Sequence, residues 1–232
     1  LGAAVWMYGQ LSMAALLNLV TENDPPNNMP VNGNIVGAST DKVVELMRRA
    51  DVDYTLDLMP WARAYQYAKQ RDGYCVFSTA RVEDRERLFR WVGPIAATEW
   101  VLYGKTDSPP VDSLDAVGNR VIGGYLGDVI SSWLISHGYK VESVNEDSVN
   151  PGKLMNGRLA YWASARPRAE ALLTERGLND KIRPLLVFGK TDLYLACHLS
   201  TSVELVYRLN QILEMMRADG TFTVIDRRYL AP

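Results

Sequence analysis

The sequence predicts an α/β protein of two units, each a mainly parallel sheet flanked by helices, and two observations predict it. Short apolar runs alternate with helical patterns along the chain, which is the order of parallel strands joined by crossover helices. That alternation breaks once, at Asp107-Ser108-Pro109-Pro110, and then resumes as a second unit. The 232 residues, 47% apolar and 22% charged, suffice for a buried core and argue against a disordered, collagenous or repeat-built chain.

Leu16-Leu17-Asn18-Leu19-Val20-Thr21 reads as a short buried strand, and Glu22-Asn23-Asp24-Pro25-Pro26-Asn27-Asn28 supplies the turn residues for a loop leaving its carboxyl end. From Ser39 to Ala50, Val43, Val44, Leu46 and Met47 recur at helical spacing behind a Ser/Thr/Asp start, and Asp53 to Leu58 follows as a strand. Pro60 suits a helix first turn, with Trp61 to Gln70 continuing the helix and Tyr74 to Ser78 the next strand. Trp100 to Tyr103 is strand-like after Gly93-Pro94. Beyond the break, Val121 to Gly124, Tyr139 to Val144 and Leu159 to Ala163 read as strands, with helices at Asp128 to Ser136, Asn150 to Asn156 and Arg166 to Arg176. Leu193 to Cys197 is a further strand. Thr201 to Arg217 is a long amphipathic helix with Val203, Val206, Leu209, Ile212, Leu213 and Met216 on its core face. Asp219-Gly220 stops it before a closing segment from Phe222 to Leu230.

Lys plus Arg is 25 and Asp plus Glu 27, a net charge of -2, so the chain lacks the footprint of a nucleic-acid or anionic-membrane binder. Cys75, Cys197, His137 and His198 have no zinc-finger spacing, and neither a metal nor a cofactor is expected. The two cysteines read either as one disulfide or, by default, as buried thiols, and each histidine reads as structural. Leu1 to Thr21 carries no charge. It lacks the basic start of a signal peptide, so it reads as a remnant left after processing, and Tyr8, Gly9, Gln10, Ser12 and Asn18 interrupt any membrane-spanning run. GxSxG, Walker and HExxH patterns are absent, and Gly123-Gly124 lacks dinucleotide-fingerprint spacing.

Three features stand at strand ends or helix starts, where open α/β sheets place ligands. Phe77-Ser78-Thr79-Ala80-Arg81 through Arg85 offers hydroxyls, backbone amides and a guanidinium, although Arg81, Glu83, Asp84, Arg85, Glu86 and Arg87 can equally pair among themselves on a solvated surface. Gly127-Asp128 opens a helix whose free N–H groups attract an anion, against the simpler reading of Asp128 as an N-cap. Trp61 can stack on a ligand or fill a core.

Taken in order, Thr21-Glu22-Asn23-Asp24-Pro25-Pro26, Gly33 to Gly37, Trp61-Ala62-Arg63-Ala64, Phe77-Ser78-Thr79 with Arg85, and Trp91-Val92-Gly93-Pro94-Ile95 resemble the extracytoplasmic solute-binding proteins of family 3. These are polar amino-acid receptors of ABC importers with the type II periplasmic binding protein fold. Ser113-Leu114-Asp115 with Val121-Ile122, Gly157-Arg158-Leu159, and Leu209-Asn210-Gln211 leading to Asp219-Gly220-Thr221 extend the resemblance from about Leu16 to Leu230.

The resemblance implies two lobes, residues 1–101 plus 193–232 and residues 102–192, joined by two hinge strands that close on a small polar ligand. It implies a periplasmic monomer, no enzyme, whose closed form is read by a membrane permease. By that analogy Arg85 holds a ligand carboxylate beside Ser78 and Ala80, and Trp61 stacks on the ligand body. Asp24 and Glu22 line the first lobe, with Tyr125, Gly127, Asp128, Val129 and Ser164 lining the second. The family's acid for an α-ammonium is missing at Ala165, so Glu22, Asp24 or Asp128 supplies the charge, or the ligand is a carboxylate without an amine; an amino acid or related small acid is expected. The implied fold brings the Cys75 and Cys197 strands together, which favours a disulfide as much as thiols. A receptor sensory domain and a cyclohexadienyl-dehydratase-like enzyme are the alternatives on the same fold.

Overall fold

The computed structural model describes residues 16–229. Residues 1–15 of the charge-free opening segment therefore lie outside the described residues, as does Leu230. The order is β1 (Leu17–Thr21), β2 (Met29–Val31), β3 (Asn34–Val36), α1 (Ala38–Ala50), β4 (Tyr54–Leu58), α2 (Trp61–Gln70), β5 (Tyr74–Ala80), a 3-10 helix at Glu83–Leu88, and β6 (Arg90–Lys105). After it come β7 (Ile122–Tyr125), α3 (Val129–Ser136), β8 (Val141–Val144), α4 (Asn150–Met155), β9 (Tyr161–Ala165), α5 (Arg166–Glu175), β10 (Ile182–Cys197), α6 (Val203–Ala218) and α7 (Thr221–Tyr229).

Eight strands form one sheet in the order β4-β1-β5-β10-β6-β9-β7-β8, with β2 and β3 a separate hairpin. Within the first three strands and within the last three the pairing is parallel. The 16-residue strands β6 and β10 run antiparallel to one another through the middle and join the two parallel groups. The expected alternation is thus realised as two α/β halves sharing a pair of long strands.

The strand period decides which helices cover which face. In β6, Trp100 and Leu102 pack with Ile122, Ile130 and Leu134 beneath α3, while Val101 and Tyr103 pack with Leu154, Trp162 and Leu173 beneath α4 and α5. In the first half, Leu19 and Phe77 join Val43, Leu46, Leu209 and Leu213 of α1 and α6. Val20 and Val76 face Trp61, Ala64 and Ala68 of α2. Cys75 and Cys197 are cross-strand partners of β5 and β10, fully buried, and joined by a disulfide.

Several boundaries differ from those the sequence suggests. The strand expected at Trp100 to Tyr103 begins ten residues earlier, at Arg90, and Gly93-Pro94 lies inside it. Gly93 has φ 149 and stands against the Tyr194 ring, where a side chain would collide. The strand expected at Leu193 to Cys197 begins at Ile182, because its first two thirds are only partly buried and carry Pro184, Gly189 and Lys190, which mimic a loop. The β2–β3 hairpin is not among the expected elements, although Met29, Val31, Ile35 and Val36 flank the turn pair Asn32-Gly33, whose φ values of 50 and 80 suit a tight hairpin. On α6, Val203 is 65% exposed and Leu205 takes a core place instead, since Leu205 stands at helical spacing from the buried Leu209, Ile212 and Met216 whereas Val203 does not.

Candidate functional site

The carboxyl ends of β1 and β5 from one half face those of β7 and β9 from the other across the middle of β6 and β10. After β1 the chain enters the loop of Glu22 and Asp24. Asn28 Nδ2 donates to the Glu22 carbonyl oxygen at 2.8 Å, and Asn27 Nδ2 to Asp24 Oδ2 at 3.2 Å. The loop presses so closely on the start of α1 that a Cβ on Gly37, at φ 138, would lie 2.3 Å from the Asn27 carbonyl oxygen.

Arg168, in the first turn of α5, reaches this loop from the other half. Its Nη2 donates to Glu22 Oε1 at 2.8 Å and its Nε to Asp24 Oδ1 at 2.7 Å. The Tyr125 hydroxyl donates to Glu22 Oε2 at 2.7 Å, and its ring lies 5.0 Å from the Arg168 guanidinium. All four side chains are buried. Burial pushes the Glu22 carboxyl up to about 7 against the opposing pull of Arg168, and Asp24 adds to the rise. Burial also raises the Tyr125 hydroxyl, reinforced by the Glu22 charge. For Arg168, burial opposes the charge, but Asp24 and Glu22 outweigh it and hold the guanidinium ionised.

Beside this network, Arg85 projects from the 3-10 helix and is only 9% exposed. Its Nη2 donates to the Gly127 carbonyl oxygen at 3.2 Å, and Trp61 Nε1 donates to the same oxygen at 3.0 Å. Two side chains of the first half therefore close on one backbone group of the second. Gly127 holds φ 76, a left-handed conformation that leaves its carbonyl free for both donors. The Arg85 guanidinium lies 5.8 Å from the Trp61 ring and 5.0 Å from that of Tyr65.

The remaining predicted positions divide. Asp128 caps α3, Oδ2 accepting from the Ile130 N–H at 3.3 Å, so the simpler reading of that residue is the observed geometry; burial raises its carboxyl. Val129 and Ala80 are buried in the cavity wall. Ser78 sits at φ 58 and gives its hydroxyl to Asn28 Oδ1 at 2.6 Å. A non-glycine residue in that region is held there by its surroundings, here by the turn it anchors. Ser164 is not in the wall. Its hydroxyl donates to Asp147 Oδ2 at 2.6 Å, and Asp147 Oδ1 accepts from Trp162 Nε1 and Asn150 Nδ2, forming a buried polar hub behind β9. The expected charge run is half right: Arg81 pairs with Glu86 in the open, whereas Arg85 leaves the run for the interior.

Two spaces meet at Arg85. An inner cavity of about 30 Å³, walled by Glu22, Asp24, Ser78, Thr98, Asp128 and Arg168 among others, holds about two waters at most. An open groove of about 640 Å³ lies outside it between α2 and α3. Trp61, Arg85, Trp100 and Val129 line both.

Sequence reasoning missed Arg168, Thr98, Trp100 and Thr191 of the inner wall. For Arg168 a signal existed. The first turn of α5 carries Arg166 and Arg168 and no acid, which reverses the usual preference of a helix N-terminus and points to carboxylates waiting elsewhere. Thr98 and Thr191 fall on strand segments that the apolar pattern did not reveal. No group of three or more metal-ligating side chains occurs among the described residues, and no helix there is long and apolar enough to cross a membrane.

Two α/β halves meeting over a pair of long shared strands define the two-lobe periplasmic binding protein class. Residues 17–232 match the bacterial extracellular solute-binding proteins, family 3, and the chain belongs to that family. Comparison with curated protein sequences found no match. Among solved structures, a histidine kinase sensor domain with similarity to periplasmic binding proteins superposes with a TM-score of 0.84 at 18% identity, covering 93% of this chain and 96% of that one. The GluR0 ligand-binding core from Nostoc punctiforme, in complex with L-glutamate, gives 0.82 at 16% identity over 93% and 100%. The substrate binding protein of an amino acid ABC transporter gives 0.78 at 16% identity over 93% and 99%. At these identities the likeness establishes the fold.

Proposed function

We propose that this chain is the solute-binding component of an ABC importer, a periplasmic monomer that captures a small carboxylate-bearing ligand by hinge closure. In this reading residues 1–101 with 193–232 form one lobe and residues 102–192 the other, turning about β6 and β10. Closure follows because the ligand touches both lobes only when they meet, so binding shifts the open–closed balance by that difference in affinity. A permease reads the closed form.

The observation that carries this reading is Arg85, a guanidinium nine-tenths buried where the two halves meet, with one of its nitrogens given to a protein acceptor among the described residues. A carboxylate is its natural bidentate partner, and charge-assisted pairs of this kind contribute about 1.5–3 kcal/mol per hydrogen bond. Glu22 and Asp24 are engaged by Arg168, which leaves Asp128, whose Oδ2 caps α3, as the inner-wall carboxylate for an ammonium; the ligand is a small acid, and an amine is not required for it to be held. Binding rather than catalysis fits as well. Both Glu22 oxygens accept from the protein itself, from Arg168 and Tyr125, which ties the raised carboxyl into a structural network.

Thermal-shift titration with small organic acids and amino acids, repeated on Arg85→Ala, tests the proposal. Acids raise the melting temperature of the parent protein, while the variant folds and loses that stabilisation. Equal stabilisation of the variant rejects Arg85 as the anchor. A second reading, the sensory domain of a membrane receptor, draws support from the likeness to the histidine kinase sensor domain. A purified permease whose ATPase responds to the liganded chain separates the two.

A further inference from the structure

The inner cavity, at about 30 Å³, is far below the roughly 300–1,000 Å³ of ligand pockets, whereas the outer groove of about 640 Å³ falls within that range. The chain fills its own inner space: Arg168 spans it and satisfies the two acids on the far side. Among the described residues Arg85 is the buried cation that lines both spaces, so with the halves as they stand here a ligand it holds has room outward.

The groove wall has a definite chemistry. Trp61 and Tyr65 on α2 form one side, their rings 5.7 Å apart. Trp133 of α3 and His137, which caps the end of that helix, are four residues apart, stack at 3.8 Å and form the other. Trp100 of β6 closes the floor, 6.1 Å from Trp133 in an edge arrangement. Flat π surfaces thus approach from both halves with a guanidinium at the inner end. Glu83 and Asp84 stand at the rim and oppose a second negative group there.

We propose that the groove between α2 and α3 is the site of an aryl monocarboxylate, its carboxylate on Arg85 and its ring between the Trp61–Tyr65 and Trp133–His137 walls. Aromatic faces that stack offset or edge-on favour a planar body over an aliphatic chain of equal size. The proposal rests on Arg85 as the carboxylate anchor and names the ligand class and the place where the ligand body lies.

Calorimetric titration with benzoate, phenylacetate and indole-3-carboxylate, with succinate alongside, tests it on the parent protein, Arg85→Ala, Ser132→Glu and Ser132→Gln. Ser132 is exposed on α3 and faces the groove, so these changes leave the core untouched. At least one aryl carboxylate binds more tightly than succinate and quenches tryptophan fluorescence. Ser132→Glu weakens it about tenfold or more through like-charge repulsion, Ser132→Gln does so far less, and Arg85→Ala abolishes binding. If Arg85→Ala abolishes binding but Ser132→Glu does not weaken it, the ligand sits inside: the groove is excluded and the receptor reading stands. Succinate binding without any aryl carboxylate likewise excludes the groove and leaves the receptor reading standing. Binding indifferent to Arg85→Ala overturns both.

Discussion

Arg168 and Glu22, 146 residues apart in the chain, meet at 2.8 Å across the junction of the two halves. The contact makes a guanidinium from α5 the counter-ion of a loop that follows β1. Its cost and benefit are those of a buried ion pair: attraction offsets desolvation only while both partners remain. Arg168→Met therefore strands Glu22 and Asp24 and destabilises the protein by about 3–5 kcal/mol in urea unfolding. Small-angle scattering of the same variant shows a larger radius of gyration, because the lobes lose a tie. Adding Glu22→Gln restores part of the stability. A loss under about 1 kcal/mol would mean that the pair is screened like a surface bridge.

The same carboxyl sets a pH dependence. Its folded-state value, about 7, lies above the ordinary 4.5, so between these values the folded protein holds a proton that the unfolded chain releases. Stability from this group is complete below about 4.5 and is lost as pH rises through 7, with a slope of at most about 1.4 kcal/mol per pH unit for one proton. Glu22→Gln removes that slope. Glu45, drawn down to about 2 chiefly by its hydrogen bond from Arg48, acts in the opposite sense and only in stronger acid, so the two windows separate in a pH series of unfolding midpoints.

Reducing the Cys75–Cys197 bridge, or replacing both residues by Ser, lowers stability by about 2–5 kcal/mol, since the bond closes a long loop in the unfolded chain. The pair is fully buried, so reduction in native buffer is slow and accelerates with denaturant. Equal urea midpoints for oxidised and reduced protein would contradict this.

Gly37→Ala tests the loop that carries Glu22 and Asp24. The added Cβ meets backbone, not a movable side chain, at 2.3 Å, and the residue is held at φ 138. A cost of about 1–3 kcal/mol follows from the backbone strain alone. Because the Ser39 and Thr40 backbone N–H groups donate to the Asn27 carbonyl, the variant also displaces the Asn27–Asn28 turn and weakens acid binding. Retained affinity at lower stability would show that the loop tolerates the shift.

How much of this was legible follows from what each residue does locally. Helices α1, α2, α3, α4 and α5 announced themselves through apolar spacing, Pro60 and Asp128, and their observed ends lie within a residue or two of those expected. The first parts of β6 and β10 did not, because Gly93-Pro94 interrupts one and Pro184, Gly189 and Lys190 interrupt the other, residues that read as loop in a single chain. At the cleft, Arg85 and Trp61 were marked by the family pattern and lie together against Gly127. Arg168 was not, because its partners lie 144 and 146 residues away, a relation that only the closed topology creates. Ser164 looked equivalent to the wall residues but faces Asp147, since neighbours in a strand point to opposite sides of the sheet.

The placement of β10 beside β5 also bears on how the protein is made. A ribosome delivers Cys75 well before Cys197, 122 residues later, so the nascent β5 waits with one hydrogen-bonding edge bare. Val76 and Phe77, fully buried in the finished molecule, flank that edge during the delay. Such an edge invites pairing with another growing chain, which makes early release or crowded synthesis the step at which this protein is most easily lost to aggregation.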